Sequence, residues 1–183
     1  LSFGFGAVII VPNAYTTIQS AINTAVEGDT VVVYPGLYNE NILIGKSITL
    51  TSLALFDPET NTIAESLDDW VDFTSIPYNV IDEYINTTII NGAGEDKSTV
   101  TVKADDCIEP LILGFTIQNG SGTLVDRKYI GSEGEYTVAE YIGGGVLSIK
   151  ANPTIHYNKI YNNGCLSNIR SGGAVYTGHI PHS

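Results

Sequence analysis

Short runs of alternating apolar and polar residues recur along the chain, and Asn or Gly residues separate one run from the next. The repeat is clearest in the second half, at residues 114–120 (GFTIQNG), 143–148 (GGGVLS), 158–164 (NKIYNNG) and 172–176 (GGAVY). Alternating apolar positions are typical of strands, whereas Asn and Gly are typical of tight turns. Because no helical spacing lies between these runs, the pattern predicts a solenoid of short strands that coils on itself.

The N-terminal part contains the one segment with convincing helical spacing. Residues 8–11 predict a first strand, and residues 15–26 predict an amphipathic helix. Four apolar residues define one face of this helix: Ile18, Ala21, Ile22 and Ala25. Asn13 or Thr16 can cap the start of the helix, and Gly28 can end it. We expect residues 7–28 to close the first coil and to protect its unpaired strand edge.

Two insertions interrupt the strands that follow. Strands are predicted at residues 30–34, 38–44, 47–51, 87–91, 99–103 and 111–118. Residues 53–86 and 121–140 break this rhythm, so we interpret both as loops inserted into the coil. Residues 1–183 then form a single domain. Because the chain stops just after a strand has begun a new coil, we expect it to be part of a longer protein.

Composition and charge narrow the function classes. The 19 glycines and 11 tyrosines and the absence of Met favour strands and tight corners over helix bundles. The net charge of −12, from 20 acidic and 8 basic residues, argues against nucleic acid and membrane as partners. Residues 1–11 are apolar but too short to cross a membrane, and they can hold the end of a secretory signal, the first strand, or both. Cys107 and Cys165 are either disulfide-bonded or two small buried side chains.

Two stretches carry a family resemblance. The first is residues 15–51, with IQSAI at 18–22, GDT at 28–30, VYPGLY at 33–38 and ENI at 40–42, and the second is residues 114–119 together with 143–175. These stretches, a little over half of the chain, resemble the right-handed parallel β-helix repeat proteins of the pectin-lyase-like superfamily. The resemblance implies an all-β, right-handed parallel β-helix. It says little about activity, since the superfamily includes lyases, hydrolases, epimerases, adhesins and non-catalytic surface proteins.

The resemblance implies what catalytic residues would look like: carboxylates that bind Ca²⁺ beside an Arg or Lys base in lyases, and clustered Asp residues in hydrolases. Asp105 and Asp106, which we place at a turn after a predicted strand, are the sharpest pair. They can bind Ca²⁺ or supply an acid, although exposed turns often carry the same pair. Arg170 is a candidate base, as are Arg127 and Lys128. The hydrolase motifs and the Arg-x-x-Arg motif of the lyases are missing, which favours a non-catalytic protein.

The insertions also supply candidate binding residues. Sugar rings stack on aromatic faces, so four aromatic residues are predicted to bind ligand: Trp70, Tyr78, Tyr84 and Tyr129. Carboxylates are the ligands that Ca²⁺ prefers, and five are predicted to bind it: Asp68, Asp69, Asp72, Asp105 and Asp106. The alternative for the first insertion is that Trp70, Phe73 and Ile76 pack back onto the coil and anchor the loop. Four corner residues are either an amide ladder or ordinary turn formers: Asn119, Asn158, Asn162 and Asn163.

Three functions are consistent with these features. The first is a secreted or cell-surface β-helix with a structural or carbohydrate-binding role, with self-association into fibres or a surface layer as a variant. The second is a polysaccharide lyase or related enzyme that acts on acidic polysaccharide. The third is an adhesion module stabilised by Ca²⁺. We favour the first, because the catalytic motifs are missing and the surface is acidic.

Overall fold

Three parallel sheets make up most of the structure. A computed structural model describes residues 6–57, 62–63, 78–93, 96–164, 170–171 and 174–178. Sheet A contains, in order, β1 (Val8–Val11), β2 (Thr30–Val33), β5 (Thr49–Ser52), β10 (Leu111–Leu113) and β15 (Thr154–His156). Sheet B contains β3 (Gly36–Asn39), β8 (Thr88–Asn91), β11 (Thr116–Gln118) and β16 (Lys159–Tyr161). Sheet C contains β4 (Ile42–Ile44), β9 (Val100–Ile108), β14 (Val146–Ala151) and β18 (Val175–Gly178).

The chain visits the three sheets in a fixed order. After β1 it passes from sheet A to B to C four times, as β2–β3–β4, β5–β8–β9, β10–β11–β14 and β15–β16–β18. Strands one circuit apart pair in parallel, so each circuit adds one strand to each sheet. The prediction of a mostly β chain is therefore confirmed, and its main sheets are parallel.

The core consists of aliphatic side chains stacked in register. Residues that are direct strand partners bury the same face in successive circuits: Val31, Leu50 and Ile112 in sheet A, Ile90 and Ile117 in sheet B, and Ile42, Val100 and Val146 in sheet C. All of these side chains belong to one hydrophobic cluster. Burying a side chain of this kind contributes about 1.5–3 kcal/mol, so the repeated Val and Ile positions dominate the stability of the fold.

The predicted helix closes the N-terminal end of this core. Helix α1 (Ile18–Thr24) is shorter than the predicted residues 15–26, and it buries Ile18, Ala21 and Ile22. Thr17, rather than Asn13 or Thr16, is the N-cap, and its hydroxyl accepts a hydrogen bond from the Ser20 amide at 3.1 Å. The apolar spacing predicted the buried face correctly. The cap position depended on where the chain leaves the first strand.

The described parts of residues 53–86 contain helix and strand, whereas the sequence predicted a loop. They include a 3₁₀ helix (Leu53–Leu55) and the antiparallel pair β6 (Phe56–Asp57) and β7 (Thr62–Ile63). They also include helix α2 (Tyr78–Thr87), which ends one residue beyond the predicted insertion. Helix α2 lies outside the one segment in which the sequence showed convincing helical spacing. Ile85 of α2 packs against a buried cluster of Ala54, Leu55 and Leu113. This tertiary contact outweighs the low helix propensity of the β-branched residues in α2.

The second insertion is a β-hairpin and not a loop. Strand β12 (Thr123–Gly131) pairs in antiparallel fashion with β13 (Gly134–Ile142), and β13 also pairs in parallel with β17 (Arg170–Ser171). Ile142 is fully buried and packs with Leu147 and Ile149 of β14. Since Leu147 lies in the row of sheet C that faces away from the core, the hairpin covers the outer surface of sheet C.

Candidate functional site

The outer surface of sheet B carries a row of side-chain amides. Asn39 and Asn91 are strand partners at the ends of β3 and β8, and Gln118 continues their row in β11. The neighbouring residues Tyr38, Ile90 and Ile117 point into the core, so period-two alternation turns the amides outward. Asn119 and Asn162 follow directly after β11 and β16. We call the surface formed by Asn39, Asn91, Gln118, Asn119 and Asn162 the amide face.

The Asn residues of the amide face form a continuous ladder. The Asn162 side chain donates to Asn119 Oδ1, Asn119 Nδ2 donates to Asn91 Oδ1 at 2.6 Å, and Asn91 Nδ2 donates to Asn39 Oδ1 at 2.6 Å. Gln118 Nε2 also donates to Asn91 Oδ1, at 3.2 Å. Each step uses one of the two N–H donors of an Asn side chain, which leaves donor capacity for a ligand hydroxyl.

Left-handed backbone at two corners brings the ladder into line. Asn119 has φ of 60° and Asn162 has φ of 54°, and Asn tolerates this region better than most residues with a side chain. Of the four corner residues that the sequence left as ladder members or turn formers, Asn119 and Asn162 are in the ladder. The sequence analysis missed Asn39 and Asn91, which lie at strand ends, although their common position before a turn was visible.

Asn158 and Asn163 have a different role. Asn158 Nδ2 donates to the carbonyl oxygens of Ile112 and His156, both at 2.8 Å, while its Oδ1 accepts from the Phe115 amide at 2.9 Å. Asn163 repeats this arrangement one corner later, with the carbonyls of Ile117 and Tyr161 and the amide of Gly120. These two side chains join successive circuits through the backbone and are not part of the ladder.

An aromatic ring and a cation adjoin the amide face. Tyr161 is the sheet B partner of Gln118 and is 46% exposed. The Lys159 ammonium lies 5.6 Å from the Tyr161 ring centre and donates to Asn86 Oδ1 at 2.9 Å. An exposed ring beside amides and a cation can stack on a sugar and bind its hydroxyl and carboxylate groups. The sequence analysis did not select Tyr161, although its place in the repeat could have indicated it.

The predicted catalytic residues lie away from the amide face. Asp105 and Asp106 are exposed, and they belong to β9 instead of following a strand in a turn. Strand β9 pairs with β14 at Lys103 with Ile149 and again at Ile108 with Ala151. Between these two pairs, β9 has four residues (104–107) where β14 has only Lys150, so β9 forms a bulge. Arg170 lies in β17 opposite Tyr141, and its side chain is outside the described residues. The expected turn is thus a bulge, which exposes both carboxylates.

The predicted binding residues are divided between described and undescribed segments. Tyr84 of α2 is 36% exposed, whereas nothing is described for the side chain of Tyr78. Trp70, Asp68, Asp69 and Asp72 lie outside the described residues, as does Cys165. Within the described part of the chain, no three His, Cys, Asp or Glu side chains come together as a metal site would require. Cys107 is exposed, so its interpretation as a buried thiol was wrong.

Tyr129 belongs to a charged cluster on the inner face of the hairpin. Its hydroxyl donates to Glu140 Oε1, and Arg127 Nη1 lies 3.4 Å from Glu140 Oε2. The Arg127 guanidinium also lies 5.9 Å from the Tyr129 ring and 5.7 Å from the Tyr176 ring. Glu140 is only 4% exposed, so its charge needs these partners. The contact of Arg127 with Tyr176 links the hairpin to β18. The alternative that Trp70, Phe73 and Ile76 pack back onto the coil lies outside the described residues.

The pKa values of the cluster follow from these contacts. The hydrogen bond to the Glu140 carboxylate raises the pKa of the Tyr129 phenol, and burial adds to this increase. Burial lowers the pKa of Arg127, but the Tyr176 and Tyr129 phenols and the Glu140 carboxylate outweigh it, so the net change is upward. At neutral pH the cluster therefore holds a neutral phenol and a charged guanidinium.

A groove runs between the hairpin and sheet C. Its volume is about 340 Å³. Leu147 and Ile149 line it from β14, Thr101 and Lys103 from β9, and the four residues Thr123, Leu124, Val125 and Asp126 from the hairpin. The groove is separate from the amide face, because it lies on a different sheet.

Comparison with known proteins adds one relative. The chain is 28% identical over 138 residues to a cell surface glycoprotein of Methanothermus fervidus. The match covers 71% of this chain but 18% of the relative, so the chain spans less than a fifth of the length of that protein. No protein-family model matches the chain. No solved structure matches it significantly. In the part of the chain that the structure describes, neither helix is long and apolar enough to span a bilayer.

Proposed function

We propose that this chain is a right-handed parallel β-helix module of a cell-surface protein, where its role is structural. The observation that carries the proposal is the fourfold passage through three parallel sheets in one order, with the core in register. Parallel connections of this kind are right-handed in nearly all proteins. A stack of circuits gives a stiff, extended module, which suits a surface layer or stalk.

The cell-surface part of the proposal has two supports. The relative found among known proteins is a cell surface glycoprotein, and the net charge of −12 keeps a surface protein hydrated. Antibodies raised against the purified chain should bind intact cells of the source organism. Labelling that appears only after the cells are broken would contradict the proposal.

The β-helix architecture is tested separately by distances along the stack. Leu37, Ile89, Thr116 and Lys159 are successive partners in sheet B. Strands are spaced by about 4.8 Å, so spin labels at Leu37 and Lys159 should have backbone positions about 14 Å apart. Double electron–electron resonance measures this separation. A distance much longer than this, after allowance for the label arms, would rule out the stacked circuits.

The N-terminal end of the stack is relevant to whether copies of the chain associate head to tail into fibres. Gln19 Nε2 donates to the Leu43 carbonyl at 3.1 Å, and the Leu43 amide donates to Gln19 Oε1. The Gln19 side chain thus occupies the hydrogen-bonding groups that a further strand would use on β4. We therefore propose that head-to-tail stacking does not use this end.

A second candidate function is the binding of acidic polysaccharide at the amide face. The specific observation is Tyr161 beside Lys159, because the exposed ring and the ammonium can bind a uronate residue on an otherwise acidic protein. Binding of polygalacturonate and alginate, measured by isothermal titration, should be weakened about tenfold in Tyr161→Ala. Tyr136→Ala serves as the matched control, since Tyr136 is 53% exposed on the hairpin.

The same polymers test the lyase alternative. Incubation with and without Ca²⁺ should yield no unsaturated uronate products if the module only binds. If the wild type forms such products and the Asp105→Asn or Arg170→Gln variant does not, the chain is a lyase and the proposal that it only binds polysaccharide is wrong. Equal affinity of the wild type and Tyr161→Ala would instead remove the amide face as the site.

A further inference from the structure

The hairpin presents a long free strand edge. Strand β12 is nine residues long, and among the strands that the structure describes it pairs only with β13. An edge of this length can pair with a further strand, and proteins commonly blunt such edges to avoid association. Here the edge is flanked by the groove of about 340 Å³ between β12 and sheet C, so a second strand has room to approach.

The exposed row of β12 consists of Leu124, Asp126, Lys128 and Ile130, and its first two residues also line the groove. Leu124 is 47% exposed and Ile130 is 91% exposed, and the Lys128 side chain is 39% exposed. A strand that pairs with this edge would cover the exposed apolar side chains at both of its ends. The row has an apolar residue at each end and opposite charges in the middle.

We infer that β12 pairs in antiparallel fashion with β12 of a second copy, with the two-fold axis at Arg127. In this register Leu124 lies opposite Ile130 of the second copy, and Asp126 lies opposite Lys128. Each contact occurs twice, because the interface is symmetric. Opposite charges and apolar pairs directly across a sheet are the favourable cross-strand pairs. The result is a continuous four-stranded sheet made from the two hairpins.

The charge pattern selects this register over its neighbours. A shift by two residues in one direction places Asp126 opposite Asp126, and in the other direction it places Lys128 opposite Lys128. A shift by one residue would mix the inner and outer faces of the strands. Only the register centred on Arg127 pairs both charges with their opposites.

The central Arg127 residues do not oppose the pairing. Each guanidinium lies on the inner face of its own hairpin, 3.4 Å from Glu140 and near the rings of Tyr129 and Tyr176. Its charge is therefore balanced within its own copy. The same register brings the hairpin turn of one copy towards the groove of the other, because Gly131 pairs with Thr123, a residue that lines the groove.

Charge reversal tests the interface. Sedimentation equilibrium of the wild type should show a monomer–dimer equilibrium at tens to hundreds of micromolar. Asp126→Lys places Lys opposite Lys, and Lys128→Asp places Asp opposite Asp, so each variant alone should dimerise at least about tenfold more weakly. An equimolar mixture of the two variants should dimerise again, since every charge then faces its opposite.

The controls separate the interface from general effects of charge and folding. Glu109→Lys makes the same charge change as Asp126→Lys at an exposed site outside the hairpin, and it should leave the dimerisation constant unchanged. Lys128 also forms a 3.0 Å ion pair with Glu135, so circular dichroism must show both variants folded. Ile130→Thr, which leaves both members of the Lys128–Glu135 ion pair in place, should also weaken the dimer. A wild type that stays monomeric throughout, or a mixture that fails to associate, would overturn the inference.

Discussion

At the scale of single residues, Asn91 is the centre of the amide ladder. It donates to Asn39 and accepts from both Gln118 and Asn119, so it links three successive circuits of sheet B. No other amide of the ladder has as many side-chain partners among the described residues. A residue that links circuits in this way stabilises the stack as a whole, and its loss leaves several polar groups without partners.

We expect Asn91→Ala to reduce the free energy of unfolding by about 1–3 kcal/mol. Three side-chain hydrogen bonds are lost, and Asn39 and Asn119 must find water as a partner instead. Urea denaturation followed by circular dichroism measures the change. Asn152→Ala is the matched control, because Asn152 is exposed and its side chain bonds to none of the described residues. Equal stability of the two variants would show that the ladder is only a consequence of the fold.

Ionisation of Tyr38 is expected to destabilise the folded protein at alkaline pH. Burial raises the pKa of its phenol, and the nearby Glu40 carboxylate raises it further. In the unfolded chain the phenol ionises near pH 10. The native state therefore holds this proton more tightly than the unfolded chain does. The stabilisation that results is fully present below about pH 10, and it is lost as the pH rises through the pKa of Tyr38 in the folded protein.

Stability should thus be constant up to about pH 9 and should fall above about pH 10. Tyrosinate absorbance should show at least two late-ionising phenols in the native protein, Tyr38 and Tyr129, both of which have raised pKa values. Tyr38→Phe should remove one of them and flatten the alkaline loss of stability. A phenol at position 38 that ionises together with the exposed tyrosines would contradict this assignment.

At the scale of elements, helix α1 depends on residues outside it. The amides of Ile18 and Gln19 donate to Glu40 Oε1 and Oε2, both at 2.9 Å. At the other end, Lys46 donates to the carbonyls of Ile22 and Asn23 at 3.0 and 3.1 Å, and also to Ala25. An acidic group at the N-terminus and a basic group at the C-terminus complement the helix dipole. A seven-residue helix is not stable alone, so these contacts attach it to the core.

We expect Glu40→Ala to reduce stability by about 1–2 kcal/mol, because two helix N–H groups lose a charged acceptor. For a chain of this length the melting temperature should fall by about 3–6 °C. Differential scanning calorimetry measures the change, and Glu133→Ala at the exposed hairpin turn is the control for the lost charge. A melting temperature unchanged by Glu40→Ala would mean that Thr17 alone caps the helix.

At the scale of the whole molecule, the excess of negative charge determines how stability depends on salt. The 20 acidic residues exceed the 8 basic ones, and the described ion pairs are few and involve the hairpin, at Arg127 with Glu140 and Lys128 with Glu135. Most carboxylates therefore repel one another across a surface with little compensation. Such self-repulsion destabilises the compact state and is reduced by salt.

Raising NaCl from about 0.01 M to about 1 M shortens the Debye length from about 30 Å to about 3 Å. The melting temperature at neutral pH should rise by several degrees as repulsion between carboxylates is screened. Repeating the titration near the isoelectric point of about 4.3 should abolish most of the increase. A fall in melting temperature with salt at neutral pH would show that attractive pairs outweigh repulsion.

The strands and the buried face of the first helix were predictable from the sequence, whereas the hairpin and the second helix were not. Period-two alternation of Val and Ile indicated strands and their buried faces, and helical spacing indicated the buried face of α1, because these periods are set by local backbone geometry. The hairpin and α2 were missed, since their order depends on packing against sheet C and against Leu55 and Leu113. For the same reason, Asp105 and Asp106 were placed in a turn and not in a bulge.

The sequence by itself determined a strand-rich chain with turns at Asn and Gly, an amphipathic N-terminal helix and a strongly acidic surface. Only the tertiary structure decided which residues meet across circuits. Asn39 and Asn91 are 52 residues apart, yet they share a hydrogen bond, and Tyr161 becomes the neighbour of Gln118 through strand pairing. Local patterns fix which way a side chain points, but the length of each insertion and the register between circuits fix what it touches.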